Sequence, residues 1–308
     1  MTAALTPLPA PIVATTAAMA TATTAAVSTA TTATTTAATT AATTAATTAA
    51  PPRLRGARIT AITSGKGGVG KTFIAANLAA ALARRGERVL VLDADLGLAN
   101  LDVALNLYSK VTLHDVFTGK ILLEDAILPA PGDFSVLLAG SGMVEYSRMT
   151  PEVGDKLHDV IARVRPRFDH VLLDTGAGIS DVVLFTVSLA DEVLVIATPE
   201  PTSLADAYAT MKVLASTQPI RPMHLLVNQV QRRGEGRAVC SQLQQVLDRF
   251  VNTTRDQPLR LSLLGEVPQD PAVREAVQRR QLLHDTQPGC PAAKALVNAA
   301  GRLLGDAT

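Results

Sequence analysis

Residues 65–72 read Gly-Lys-Gly-Gly-Val-Gly-Lys-Thr, and this stretch decides the fold. It satisfies the pattern G-x-x-x-x-G-K-[ST], in which glycines let successive backbone N–H groups turn inward around a phosphate. An apolar run at 59–63 precedes it and a helical pattern at 71–85 follows it, so the N-terminus of a helix points at the same anion. The stretch therefore predicts a nucleotide site, with Lys71 on the β- and γ-phosphates and the Thr72 hydroxyl on Mg²⁺.

Outward from this loop, the chain alternates short apolar runs with longer amphipathic stretches. The runs are apolar throughout, which is typical of strands buried on both faces of a parallel sheet. They lie at 59–63, 89–93, 135–139, 170–174, 193–198, 224–228 and 261–267. The helical candidates lie at 71–85, 151–164, 181–190, 203–216, 237–250, 271–279 and 291–304. This alternation predicts an α/β fold of the P-loop NTPase kind: a mostly parallel twisted sheet with helices on both faces, in a single folded domain.

The first 52 residues differ in composition from the rest of the chain. They carry no charge and consist almost entirely of Ala, Thr and Pro. Thr at this density opposes helix formation, and the segment has no apolar face to bury. We therefore expect a disordered arm at 1–52 and the folded ATPase domain at 53–308. The arm has neither the basic start nor the compact apolar core of a signal peptide.

Composition excludes several classes of function. The chain has 308 residues, and its 28 Lys and Arg nearly balance its 27 Asp and Glu, so there is no global attraction to nucleic acid or to an anionic membrane. Two Cys exclude a disulfide framework and a cysteine-bound cluster, which favours a reduced cytoplasm. With no Trp, three Tyr and six Phe, the chain offers little for stacking on single-stranded nucleic acid.

Acidic residues follow two of the predicted strands. Asp93 and Asp95 end one strand, and Asp174 ends another, just before the glycine-rich turn at 175–178. The carboxyl ends of parallel strands meet at one edge of the sheet, where ligands of open α/β folds bind. A carboxylate there holds Mg²⁺, orients water, or both, while the turn senses a γ-phosphate. An alternative stays open, in which Asp93 or Asp95 alone caps the next turn.

An early lysine makes the loop more specific. The string from Lys66 to Thr72 resembles the deviant Walker A motif of the MinD/ParA ATPases. Residues 92–102 resemble the switch I segment of that family, and residues 173–179 resemble its Walker B and switch II segments. The match continues at 198–203 and at 265–271, and it covers about residues 58–304.

The resemblance implies a dimeric switch that binds ATP and Mg²⁺ and hydrolyses ATP slowly. By resemblance, Lys66 reaches the phosphates of the partner's nucleotide and Asp95 positions the attacking water, so these two are the expected catalytic residues. The expected metal residues are Thr72, Asp93 and Asp174. The expected nucleotide-binding residues are Gly65, Gly67, Gly68, Val69, Gly70, Lys71, Thr72 and Phe73, with Asn228, Val267 and Pro268 at the adenine.

Three stretches most resemble the flagellar-number regulators of the family, FleN and FlhG: 93–100, 174–179 and 199–208. The resemblance implies control of flagellar number or placement, with a flagellar GTPase, a transcription regulator or a basal-body component as partner. It places the protein in the cytoplasm, at the cell pole or at the inner face of the membrane. The alternatives are division-site placement, chromosome or plasmid partitioning, and an ATP-binding scaffold with little turnover. An iron–sulfur carrier of this fold would need paired cysteines, whereas Cys240 and Cys290 each stand alone.

The chain departs from the family pattern in three places. Phe73 replaces a Thr or Ser whose hydroxyl touches the α-phosphate, which predicts ATP binding weaker by about 1.5–3 kcal/mol. The last helical stretch, 292–304, has only Lys294 and Arg302 as bases, so it resembles a docked helix more than a membrane helix. The arm at 1–52 lacks the Asp and Gln of the motif with which flagellar members stimulate their GTPase. These departures argue against membrane contact and GTPase activation.

Overall fold

The computed structural model describes residues 56–97, 99–140 and 148–305, with only the backbone at Thr254. The predicted arm at 1–52 lies outside the described residues. Within them, eight strands form one sheet in the order β3-β4-β2-β5-β1-β6-β7-β8. All neighbouring strands are parallel except β3 and β4, which are antiparallel. The predicted α/β fold with a mostly parallel sheet is confirmed.

The strands are β1 (Arg58–Ser64), β2 (Val89–Ala94), β3 (Leu128–Ala130), β4 (Phe134–Leu137), β5 (His170–Ala177), β6 (Glu192–Ala197), β7 (Met223–Val230) and β8 (Leu261–Pro268). The helices are α1 (Lys71–Ala83), α2 (Leu101–Ala104), α3 (Leu113–Phe117), α4 (Leu123–Ala126), α5 (Pro151–Val164), α6 (Asp181–Ser188), α7 (Pro201–Thr217), α8 (Glu235–Phe250), α9 (Pro271–Arg279), α10 (Leu283–Thr286) and α11 (Pro291–Leu304), and a 3₁₀ turn lies at Asn252–Thr254. All seven predicted strands and all seven predicted helices are present. The prediction missed β3 and the four helices α2, α3, α4 and α10, which are too short to show a period.

Alternate residues of the central strands pack on opposite faces of the sheet. On β2, Leu90 and Leu92 belong to the core that α5, α6, α7 and α8 cover. Val89 and Val91 belong to the core on the other face, which α1, α9, α10 and α11 cover. Because both faces are buried, the strand reads as one continuous apolar run.

The strand order creates a crevice at the carboxyl edge of the sheet. From β1, the chain passes through α1 to β2 on one side, while β5 continues through α6 to β6 on the other. In the register of β2 and β5, Asp93 lies opposite Asp174. The predicted meeting of these acidic strand ends is confirmed, and it occurs beside the loop that follows β1, where open α/β sheets bind ligands.

The last described helix is docked on the core. Ala292, Leu296 and Leu303 of α11 are buried. Arg58 Nη1 on β1 donates a hydrogen bond to the Leu303 carbonyl oxygen (2.7 Å), and Arg302 Nη1 donates to the Leu264 carbonyl oxygen (3.0 Å). None of the helices in the described ranges has both the length and the apolar character needed to cross a bilayer.

Candidate nucleotide-binding site

The phosphate loop, residues 65–72, joins β1 to α1 through four glycines, of which Gly65, Gly68 and Gly70 are required by its conformation or packing. Gly68 and Gly70 have φ angles of +79° and +98°, in the left-handed region that favours glycine. A Cβ on Gly65 would lie 2.2 Å from the backbone carbonyl of Asp206 on α7. Gly70 is also the N-cap residue of α1, and it has no side chain that could accept a hydrogen bond from the first N–H groups of the helix. The first N–H groups of α1 are thus left for a ligand, as an anion site requires.

A cleft of about 1610 Å³ opens beside the loop. Its walls come from the phosphate loop and the first turn of α1, from residues 94–97 after β2, from 175–177, from 228–231, from 268–271 and from α9. Of the predicted site residues, the cleft is lined by Gly67, Gly68, Gly70, Lys71, Thr72, Phe73, Asp95, Asn228 and Pro268. The cleft does not include Gly65, Lys66, Val69, Asp93, Asp174 or Val267. The side chains of Val69 and Val267 are instead buried in the core.

Lys71 is held at the mouth of the loop. Its Nζ donates a hydrogen bond to the Ser64 hydroxyl (3.1 Å), and that hydroxyl donates to the Lys66 carbonyl oxygen (2.7 Å). Burial lowers the pKa of the Lys71 ammonium group, against the attraction of the Asp174 and Asp95 carboxylates. Ser64 was not among the predicted residues. Its position directly before the loop could have identified it from the sequence.

Asp174 is buried within β5, three residues before the strand ends, with one oxygen unsatisfied. The Thr72 hydroxyl lies near its carboxylate and acts to lower its pKa. Its Oδ1 is buried, and no hydrogen-bond partner for it lies within the part of the chain that the structure describes. Burial raises the pKa of Asp174 to about 6, although Thr72 and Lys71 act in the opposite direction. A free carboxylate oxygen beside a hydroxyl is a donor set that suits Mg²⁺.

The described residues contain no group of three or more His, Cys, Asp or Glu side chains that could hold a metal ion. Thr72 and Asp174 would be two protein ligands for a magnesium ion, fewer than its octahedral geometry takes. This is the usual situation for Mg²⁺, which keeps waters and binds substrate phosphates with one or two carboxylates.

Asp93 holds the segment that follows β2. Its Oδ1 accepts a hydrogen bond from the Asp95 backbone N–H (3.2 Å), and its Oδ2 accepts one from the Leu101 N–H (3.3 Å). The side chain is buried, and burial raises the pKa of Asp93 well above its usual value, with the Asp174 carboxylate acting in the same direction. Each carboxylate oxygen thus ties one end of 95–101, the segment that carries the predicted water-positioning residue.

Asp95 itself faces the cleft, close to Gly176 of β5. The prediction of a glycine-rich turn at 175–178 is wrong for residues 175–177, because β5 continues through Ala177. A Cβ built on Gly176 would lie 3.3 Å from Asp95 Oδ1. The missing side chain at Gly176 lets the carboxylate approach β5 closely. The structure thus brings the ends of β2 and β5 together at the phosphate loop, as the sequence predicts.

Lys66 points away from the cleft of its own chain. Its Nζ donates hydrogen bonds to Glu200 Oε2 (2.9 Å) and to the Thr202 hydroxyl (3.1 Å), at the start of α7. The side chains of Lys66 and Glu200 are 40% and 61% exposed. Exposed ion pairs of this kind contribute about 0–1 kcal/mol, so this contact is easily exchanged for another.

Asn228 contacts the phosphate loop. Its Nδ2 donates a hydrogen bond to the Val69 carbonyl oxygen (2.8 Å), and its Oδ1 accepts one from the Gln229 N–H (2.9 Å). Pro268 lines the same end of the cleft, whereas the side chain of Val267 is buried. This amide was predicted to lie at the adenine, and its contact with the loop was not anticipated.

A partly apolar wall completes the cleft. Phe73 on α1 lines it, together with Val273, Arg274 and Val277 on α9. Phe73 and Val273 also pack against the same core cluster. The three α9 residues were missed, because the pattern of a helix does not tell which of its faces meets a distant loop.

The family model for the CobQ/CobB/MinD/ParA nucleotide-binding domain matches residues 60–283. The antiactivator FleN of Pseudomonas aeruginosa is 39% identical over 231 residues, which are 75% of this chain and 80% of FleN. The flagellum site-determining protein YlxH of Helicobacter pylori is 30% identical over 256 residues, 80% of this chain and 82% of YlxH. The solved structure of the septum site-determining protein MinD from Pyrococcus horikoshii, complexed with Mg-ADP, gives a TM-score of 0.66 at 29% identity, covering 80% of this chain and 96% of that one.

Proposed function

The chain belongs to the CobQ/CobB/MinD/ParA nucleotide-binding family, and on that basis we propose that it is an ATP-dependent dimeric switch. MgATP binds in the cleft and holds two copies of the chain together, and slow hydrolysis to ADP and phosphate ends the dimeric state. The observation that carries this proposal is the contrast between two lysines of one loop. Lys71 lies in the cleft, whereas Lys66 is held outside it by an exposed ion pair. A lysine so placed is available to the phosphates of a second copy.

The residues divide into three roles under this proposal. Thr72 and Asp174 hold Mg²⁺, with Asp93 nearby, and Asp95 positions the attacking water. Lys66 acts across the dimer and is, with Asp95, a catalytic residue. The loop residues 65–73 bind the phosphates, and Asn228, Val267 and Pro268 form the adenine end of the site. Supporting observations are the unsatisfied Asp174 oxygen, the open N-terminus of α1 and the Mg-ADP bound by the MinD relative.

These roles are tested with three variants and MgATP. Asp95→Ala should bind ATP and remain a dimer, because the bound nucleotide is no longer hydrolysed. Lys66→Ala should bind ATP and stay monomeric, whereas Lys71→Ala should lose ATP. Lys212→Ala removes an exposed lysine of α7 and serves as the control. Light scattering measures the oligomeric state, and nucleotide titration measures ATP affinity. An Asp95→Ala protein that stays monomeric with saturating MgATP would refute the proposed switch.

For the cellular role, we propose regulation of flagellar number or placement in the cytoplasm, at the cell pole or at the inner face of the membrane. The support is the similarity to FleN and YlxH, whose names refer to an antiactivator and to flagellum site determination. The partner would then be a flagellar GTPase, a transcription regulator or a basal-body component. Division-site placement is the second candidate, because the MinD relative is a septum site-determining protein.

A deletion strain separates the two roles. Flagella per cell and septum position are scored in the same electron micrographs, and the strain is complemented with the parent gene or with Lys71→Ala. Extra or misplaced flagella with normal septa support the flagellar role. Minicells with normal flagella support division-site placement and contradict the flagellar role. In either case, failure of Lys71→Ala to complement is expected, because the switch needs nucleotide.

A further inference from the structure

We propose that Asn228 is a positioning residue of the phosphate loop, holding the Val69 carbonyl in place before any nucleotide enters. This inference rests on the proposed function only in taking residues 65–72 as the phosphate-binding loop. It makes the contact with the loop the larger contribution of Asn228, which also lies at the adenine end of the proposed site.

The carboxamide of Asn228 is engaged within the chain at both ends. Nδ2 donates to the Val69 carbonyl oxygen at 2.8 Å, and Oδ1 accepts from the Gln229 N–H at 2.9 Å. The residue is only 6% exposed. A buried amide with both ends satisfied has one preferred orientation, so its N–H group is fixed on the loop.

The backbone around Asn228 is shaped for this contact. Gln229 has a φ angle of +60°, a left-handed conformation that residues other than glycine seldom adopt. The pairing of β7 with β8 is irregular between Asn228 and Val230. The strand thus leaves regular geometry directly after the residue whose side chain reaches across to the loop.

The phosphate loop also has a backbone that permits this contact. A Cβ on Gly70 would lie 2.6 Å from Asn228 Nδ2, so only glycine at this position lets the amide come so near. Val69 stands between Gly68 and Gly70, both in the left-handed region. Glycine has more backbone conformational freedom than any other residue. A hydrogen bond to the Val69 carbonyl, between two glycines, therefore restrains the loop where its backbone is most flexible.

A second hydrogen bond holds the start of the loop. The Ser64 hydroxyl donates to the Lys66 carbonyl oxygen at 2.7 Å. With Ser64 at one end and Asn228 at the other, the carbonyls of Lys66 and Val69 are both turned toward the protein. The N–H groups of the loop are then directed toward the cleft, which is the arrangement that binds phosphate.

The test is hydrogen exchange in the nucleotide-free protein, where adenine recognition has no influence. Amides of residues 65–72 should exchange about three- to tenfold faster in Asn228→Ala, the effect of one lost hydrogen bond. Gln231→Ala is the matched control, because Gln231 lines the same end of the cleft and its side chain makes no hydrogen bond to the loop within the described residues. It should leave loop exchange unchanged. A folded Asn228→Ala protein with parental loop exchange would overturn the proposal.

The isosteric variant Asn228→Asp gives a second, independent reading. Its carboxylate, measured at pH 8, has no donor and faces the Val69 carbonyl, so loop exchange and ATP affinity should suffer at least as much as in Asn228→Ala. If the residue acted mainly by reading the base, the carboxylate would still accept a hydrogen bond from the adenine amino group and would be milder than alanine. That order of affinities would contradict the proposal. If Asn228→Ala does not fold, Asn228→Asp carries both measurements.

These measurements are independent of the proposed switch. The exchange experiment requires neither dimerisation nor hydrolysis, so a protein that never dimerises still reports on Asn228. Conversely, an intact dimer with unchanged loop exchange in the variants would overturn the proposal for Asn228 alone.

Discussion

Replacing Asp174 with Asn is expected to change the pH dependence of stability in the nucleotide-free protein. The Asp174 carboxyl is buried, and its pKa is about 6 instead of the ordinary 3.8. Between these two values the folded state binds more protons than the unfolded state, so the free energy of unfolding falls as the pH rises. Ionised Asp174 therefore costs stability above pH 6, and this cost disappears as the pH falls toward 4.

The size of the effect follows from the two pKa values. The interval between 3.8 and about 6 corresponds to about 3 kcal/mol at high pH, of which about 2 kcal/mol develops between pH 4.5 and pH 7.5. An Asn at this position carries no charge and does not titrate. Burying its amide adds a cost, but that cost does not vary with pH and cancels in the comparison.

The assay is denaturant unfolding at several pH values between 4.5 and 7.5, with chelator present and nucleotide removed. The stability of Asp174→Asn relative to the parent should rise by about 2 kcal/mol across this range. Asp155→Asn, which changes an exposed carboxylate on α5, is the control and should give a difference that barely depends on pH. A relative stability of Asp174→Asn that is constant, or that falls with pH, would refute the reasoning.

Three further changes test other parts of the site. Phe73→Thr restores a hydroxyl at the cleft and should strengthen ATP binding by about 1.5–3 kcal/mol in calorimetric titration; Phe73→Leu should not. Glu200→Gln weakens the exposed pair that holds Lys66, so sedimentation should show dimerisation at up to about fivefold lower MgATP; a higher requirement would contradict this. Gly65→Ala places a Cβ 2.2 Å from a backbone carbonyl of α7 and should lower stability by about 1–3 kcal/mol; Gly67→Ala, which has open space, should not.

The long elements could be predicted because the sequence marks both their period and their ends. The helices α5, α9 and α11 have the predicted bounds, and each begins with a proline in its first turn. The strand β3 has only three residues and pairs antiparallel at the sheet edge. Such a segment has no alternation to recognise and depends on its neighbour β4 for its conformation.

The site could be predicted at the level of positions but not of contacts. Asp93 and Asp174 meet because parallel strands in register bring their ends to one edge. The direction of each side chain, however, depends on which backbone groups other elements present. Asp93 accepts N–H groups from its own loop, Lys66 turns to α7, and Asn228 donates to Val69. The contacts of Asp93 agree with the alternative in which this residue caps the next turn, whereas the partners of Lys66 and Asn228 do not follow from sequence spacing.

The ionisable groups around the phosphate loop are costly to the fold of the chain by itself. Burial lowers the pKa of Lys71 and raises the pKa values of Asp93 and Asp174, so all three groups are displaced toward their neutral forms. The mutual attraction of Lys71 and Asp174 does not offset their loss of hydration. A chain selected only for folding would gain by replacing these groups with apolar ones. A phosphate beside Lys71 and a cation beside Asp174 would each favour the charged form, so binding would offset the cost of burying these groups. The cost of the buried charges is therefore an argument for a charged ligand in this cleft.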